Sequence, residues 1–211
     1  NMAGSCIVDD DACCTASRQE ILRRYYTACV ERLQGKATDE PVEKLELLMK
    51  QAKVSRDIRP AIDAANEKAA ATGAPASAMV LHDGRVITGR TSDTLGAASA
   101  MLLNALKSLA KIPKEVDIID AAVIEPIQKL KVESFGSNNP RLHTDEVLIA
   151  LAVSAANSEN ARRALEAIGE LRDAQVHSTV ILSQVDYTTF RKLGVNLSCE
   201  PKYQTKKLFH K

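Results

Sequence analysis

Nine side chains are of types, and stand in settings, that could hold an anionic ligand: Glu125, Ser137, Asn138, Arg141, His177, Ser178, Thr179, Ser183 and Asp186. Ser137-Asn138-Asn139-Pro140-Arg141 is a polar loop ahead of a long helical pattern, and Ser137, Asn138 and Arg141 offer the donors that a phosphate or carboxylate accepts from. "HSTVIL" reads as a strand, whose alternation puts His177 and Thr179 on one face and Ser178 on the other. Ser183 to Asp186 opens the next helix, and helix amino ends favour anions. Glu125 precedes Pro126 at the end of another expected strand, where ligand sites of open α/β sheets gather. Each residue also has a plainer reading: His177 as a satisfied core histidine, Asp186 as an N-cap, and 137–141 as a turn. On the binding reading an anion lies among Glu125, Ser137, Asn138, Arg141, His177 and Ser183. No catalytic residue stands out.

Composition narrows the partners. Lys plus Arg (28) nearly cancel Asp plus Glu (27), for a net charge of +1. Such a balance predicts no nucleic-acid footprint, and 3% aromatics with no Trp predicts no base-stacking platform. The apolar runs are too short for a membrane span. The five cysteines (Cys6, Cys13, Cys14, Cys29 and Cys199) are odd in number and form no C-x-x-C pair, which suits a reducing, cytoplasmic setting and offers no zinc knuckle. Asp9-Asp10-Asp11 reads as a solvated charge run, and His82 and Asp83 as a hairpin tip. The chain opens at Asn1 without a leader, so it reads as a piece of a longer protein.

The elements that must position the candidates fall into two segments. Residues 1–74 read as a helical subdomain. Its first helix starts at the Ser17-Arg-Gln-Glu20 capping box and stops near Gly35; the second starts near Thr38-Asp39 with Pro41 in its first turn. The third runs from about Pro60 to Thr72 and ends at Gly73. Residues 75–211 read as an α/β subdomain. "SAMVLHDGRVITGR" alternates around Asp83-Gly84, the mark of a tight hairpin. A helix follows that buries Leu95, Ala98, Leu102, Leu106 and Leu109 and exposes Asn104, Lys107, Ser108 and Lys111. "IDAAVIEP" reads as a buried strand, with helices expected over Thr144–Asn157 and Glu159–Arg172. "QVHSTVIL" is a strand, Asp186 caps "YTTFRKL", Gly194 stops it, and "VNLSC" is a last strand. The whole predicts an α/β fold, a helical N-terminal subdomain followed by a three-layer α/β/α domain. The Leu- and Ala-rich helices between Thr144 and Arg172 predict a homo-oligomer, or docking to the rest of a longer protein.

The α/β segment resembles a cytidine-deaminase-type fold through Asp83-Gly84-Arg85, Thr88-Gly89 and Asn104-Ala105-Leu106. Register on Asn104 puts Ala100 at that family's first metal ligand and Leu102 at its proton-shuttling Glu. Pro126-Ile127-Gln128-Lys129-Leu130 stands where its two thiolates belong. Aliphatic side chains cannot hold zinc, so the resemblance implies the layers without the metal or the reaction. A second resemblance covers nearly the whole chain. "IVDDDACCTASRQEILRRYYTAC", "LHDGRVITGR", "FGSNN", "DEVLIAL", "HSTVILSQVD" and "FRKLGVNLSCEPKY" resemble the C-terminal half of domain of unknown function family 1846. Tyr187, Ser198 and Glu200 depart from that pattern. The resemblance implies an N-terminal Rossmann-like half with a glycine-rich phosphate loop, absent here, and a cleft that the two halves complete for a nucleotide or phosphate. The alternative is a purely structural, oligomerising module. No H-E-x-x-H, G-x-S-x-G or P-loop motif occurs to support the peptidase label sometimes attached to the family.

Overall fold

The computed structural model describes residues 8–204, so Cys6 and the opening residue fall outside it. Among the described residues the fold is mixed α/β, with an open four-stranded sheet and eight α-helices. Helix α1 (Asp10–Leu33) starts well before the expected Ser17 box. Asp9 caps it by accepting from Ala12 N at 2.8 Å, and Asp10 and Asp11 sit in the first turn, where the helix dipole favours them. The acidic run is solvated, as expected, and opens a helix. Helix α2 (Glu40–Gln51) begins with Pro41 in its first turn and buries Val42 against Ala28 and Cys29 of α1. Helix α3 (Ala61–Thr72) ends where Gly73 turns left-handed at φ 65°, as its sequence predicts.

Strands β1 (Ala76–Val80), β2 (Val86–Arg90), β3 (Gln175–Ser178) and β4 (Asn196–Cys199) lie in the order β2-β1-β3-β4. The β1–β2 hairpin turns at Gly84, φ 81°, as expected from Asp83-Gly84. Register puts Ala78, His177 and Ser198 side by side on one face of the sheet. Ala61 and Ala65 of α3 pack on Ala78, and the Tyr26 ring of α1 stands 4.9 Å from the His177 ring. The other face carries Met79, Val176 and Leu197 into the main core. There they meet α4 (Ala97–Leu109), α6 (Thr144–Ser154), α7 (Glu159–Glu166) and α8 (Gln184–Lys192). Helices therefore cover both faces, and α1–α3 form one of those covers.

Two other expectations fail here. "IDAAVIEP" is not a strand but helix α5 (Ala121–Lys129), followed by a π-helical turn over Leu130–Ser134. Asp120 caps it through Ala122 N at 2.9 Å, and Val123, Ile124 and Ile127 turn one stripe to the core. A short apolar run fits a buried strand or one helical stripe equally well, and the aspartate cap decides it. The sheet consequently lacks the strand that the deaminase resemblance places before Pro126. Lys107 is the second failure: it is buried, and its Nζ donates to Lys114 O. Its aliphatic stem lies along the core while the ammonium reaches a loop carbonyl.

A candidate anion site at the carboxyl edge of the sheet

Strand β1 is antiparallel to β2 and to β3, and β3 is parallel to β4. Strands β2, β3 and β4 therefore all point their carboxyl ends at one edge. Chains leaving such an edge start the helices behind it, so that amino ends of helices gather there. Helix α4 follows β2 and α8 follows β3. The start of α6 is brought to the same place by a parallel bridge, Leu95 to Leu142, with Leu142 N donating to Thr94 O at 2.9 Å. Ser99 Oγ donates to Leu142 O at 2.9 Å and locks α4 to that loop. Close approach of α4 to the sheet depends on Gly89: a Cβ there would lie 2.1 Å from Met101 N.

The three helix starts enclose a cleft of about 220 Å³, lined among others by Thr91, Ala97, Arg141, His143, Ser183 and Asp186. Asp186 is its pivot. Its Oδ1 accepts from Thr144 N at 2.8 Å and Thr144 Oγ1 at 3.0 Å; its Oδ2 accepts from Ser183 Oγ at 2.7 Å and faces His143 Nδ1 at 3.1 Å. Ser183, not Asp186, is the N-cap of α8, accepting from Asp186 N at 3.2 Å. Asp186 instead satisfies the first turn of α6. Burial raises its carboxyl, but the His143, Thr144 and Ser183 hydrogen bonds outweigh that and hold it below its ordinary value. The Asp186 bond raises the His143 imidazole against the opposing effect of burial. Ser183 and Asp186 meet the same nitrogen of His143, with Ser183 Oγ 3.3 Å from Nδ1. A nucleophilic triad needs serine and carboxylate on opposite ring nitrogens, so this is not one.

Donors are left over. Arg141 spends Nε on Ser92 O at 2.6 Å, and its two Nη groups have no hydrogen-bond partner among the described residues. The amides of Ala97, Ala98 and Ser99, at the uncapped start of α4, likewise donate to no acceptor among the described residues. With Asp186 already matched by four donors, the unspent groups of the cleft favour negative charge. Among the described residues no three His, Cys, Asp or Glu side chains converge to hold a metal ion.

The sequence-derived candidates separate. Arg141, Ser183 and Asp186 line this cleft. From the polar loop it is Asn139 that joins them; Ser137 Oγ closes its own turn onto Asn139, and Asn138 is exposed. Glu125 is exposed on α5, because the expected strand end is a helix. His177 does not point into a cleft beside Asp186. It is fully buried beneath α1, with Nδ1 2.9 Å from Ser198 Oγ and Nε2 3.4 Å from Glu200 Oε1. Burial lowers its basicity. Ser178 Oγ accepts weakly from Val180 N at 3.4 Å, and Thr179 Oγ1 accepts from Ala76 N and donates to Ala76 O, so both close strand ends. The sequence reading missed His143, the α4 amides and Arg59. His143 stands three residues before Glu146, which accepts its amide at 2.7 Å, and that spacing was the available signal. Arg59 is buried, its Nη2 donating to Val176 O, Asn196 O and Ser198 Oγ, and burial lowers its pKa to about 10.

Residues 57–209 match the family described as "Domain of unknown function DUF1846, C-terminal", and residues 1–53 match "Domain of unknown function DUF1846, N-terminal". The chain belongs to the DUF1846 family. It is not confined to the family's C-terminal domain, as the block resemblance implied, because its first 53 residues match the N-terminal one. A UPF0371 protein of Corynebacterium efficiens is 52% identical over all 211 residues, which cover 43% of that protein. One from Corynebacterium urealyticum is 49% identical, and one from Streptococcus pyogenes serotype M5 is 46% identical, each over the whole chain and 42% and 43% of its own length. The DUF1846 chain described here thus spans about two fifths of the length of these relatives. Among its described residues, no helix is long and apolar enough to cross a membrane.

Proposed function

We propose that this DUF1846 chain binds the phosphate of a nucleotide or another phosphorylated ligand in the cleft at the carboxyl edge of its sheet. One observation carries the reading: three helix starts and a guanidinium with both Nη groups unspent converge on the same cavity. Backbone amides at a helix start and a forked arginine are complementary to tetrahedral oxygens. The volume of about 220 Å³ takes a phosphoryl group together with part of what it is attached to. The remainder of such a ligand would extend out of the cleft. Calorimetric titration with inorganic phosphate and with ATP is the direct test. Arg141→Ala should weaken binding about tenfold, the value of one charge-assisted hydrogen bond, while the fold stays intact and loses no more than about 1 kcal/mol with the Nε bond to Ser92 O. Equal binding by the intact variant would put the site elsewhere.

A second reading has one observation in its favour: α6 leaves Ile149 60% and Val153 55% exposed. On that reading the helix docks a second copy of the chain. Light scattering should then give a mass above that of the monomer, and a monomer at high concentration would refute it.

A further inference from the structure

We infer that His143 is the proton-carrying contact of this cleft: with Nδ1 turned to Asp186, its Nε2 is left to meet a tetrahedral dianion, which binds tightest when the ring is protonated. The inference rests on the anion-binding reading above and names the group that makes it depend on proton concentration. Asp186 Oδ2 and Ser183 Oγ both lie at Nδ1, at 3.1 and 3.3 Å. A carboxylate that already accepts from Ser183 and Thr144 holds the hydrogen of the neutral ring on Nδ1. Nε2 has no hydrogen-bond partner among the described residues, while the ring lines the cleft with 29% of its side chain exposed. The neutral ring consequently presents a lone pair to an incoming oxyanion, and the charged ring presents an N–H.

The neighbouring charges come from every element packed on the ring. Helix α8 brings Asp186, and α6 brings Glu146. Lys131 in the π-helical turn is tied to Glu146 at 2.7 Å and to Arg141 O at 2.6 Å. The loop ahead of α6 brings Arg141, and the loop paired with Leu142 carries the exposed Asp93. The first turn of α4, Gly96 to Ser99, brings no ionisable side chain. Asp186 and Glu146 are each matched already, by hydrogen bonds and by Lys131. Protonation of His143 therefore cancels the charge that Asp186, matched otherwise by neutral donors only, would turn against an anion, and it changes Nε2 from an acceptor into a donor towards the ligand.

Inorganic sulfate is the suitable probe, because it remains a dianion while a phosphate monoester changes charge near pH ~6. Sulfate binding to the 211-residue chain, at constant ionic strength, should be about tenfold tighter at pH ~5.5 than at pH ~8.5. In His143→Gln the ratio should fall to about one, the other histidines being unchanged. In the unsubstituted chain, the NMR titration midpoint of His143 should rise when sulfate is present, a readout that does not depend on the variant folding. Sulfate binding without pH dependence, a dependence that survives in His143→Gln, or an unmoved midpoint would each overturn the assignment while leaving the anion site standing. Failure to bind sulfate at both pH values would overturn the anion reading, and this inference with it.

Discussion

Asp186→Ala removes four acceptor contacts at once from the junction of α6 and α8. The Thr144 amide loses its cap, which costs about 1 kcal/mol. The Thr144 and Ser183 hydroxyls lose an acceptor in a buried setting, together about 1.5 kcal/mol after partial repair. The His143 pair is partly exposed, so it contributes only about 0.5 kcal/mol. The total is about 3 kcal/mol, and among the described residues no other group accepts from the Thr144 amide. At a urea slope of about 2 kcal/mol per molar, the unfolding midpoint should fall by about 1.5 M with the slope unchanged. Asp186→Asn keeps an oxygen for Thr144, so it should lose less than half as much. In both variants the His143 midpoint should return towards ~6.5. A loss below about 0.5 kcal/mol in the alanine variant, or an equal loss in the asparagine variant, would refute the account of Asp186 as the shared cap.

Stability should follow pH in a defined window. The Asp186 carboxyl is held low, so its contribution is full above ~3.9 and fades as pH falls through the depressed value; the His143 imidazole is held high, so its share is full below ~6.5 and fades as pH rises through the raised one. Denaturation midpoints should therefore peak between pH ~4 and ~6.5, and Asp186→Ala should flatten that peak. Gly89→Ala drives a Cβ to within 2.6 Å of Met101 Cα, a backbone atom that cannot step aside. It should cost about 3 kcal/mol by denaturation and weaken anion binding in proportion to the displaced start of α4. Arg59→Met strips Val176 O, Asn196 O and Ser198 Oγ of a shared donor. A loss of about 2 kcal/mol, lowering Tm by about 6 °C, is expected without any change in anion affinity.

What the chain settles locally was open to reading in one dimension. A hairpin at Asp83-Gly84 needs only a left-handed glycine between alternating residues, and stops at Gly73 and Gly194 need only the same freedom at a helix end. Arg141, Ser183 and Asp186 were legible as donors and acceptors beside helix starts, since side-chain type and position in a pattern carry that signal. Where local signals were ambiguous, reading failed. The apolar run at 121–127 fits a strand or a helix stripe, and Asp120 with the core behind Ile124 and Ile127 chose the helix, taking Glu125 out to solvent. His177 lies in the strand where it was expected, but the face it uses was decided by what α1 and α3 cover. Two things about the site belong to tertiary structure alone. One is that β1 runs against its neighbours, so the carboxyl ends of β2, β3 and β4, separated by up to 109 residues between Arg90 and Cys199, meet at one edge. The other is the donor set itself: an amide of Ala97 or Ala98 looks like any other in the sequence, and it is open to an acceptor only when a fold leaves it unspent at a helix start and aims two more helices at the same space.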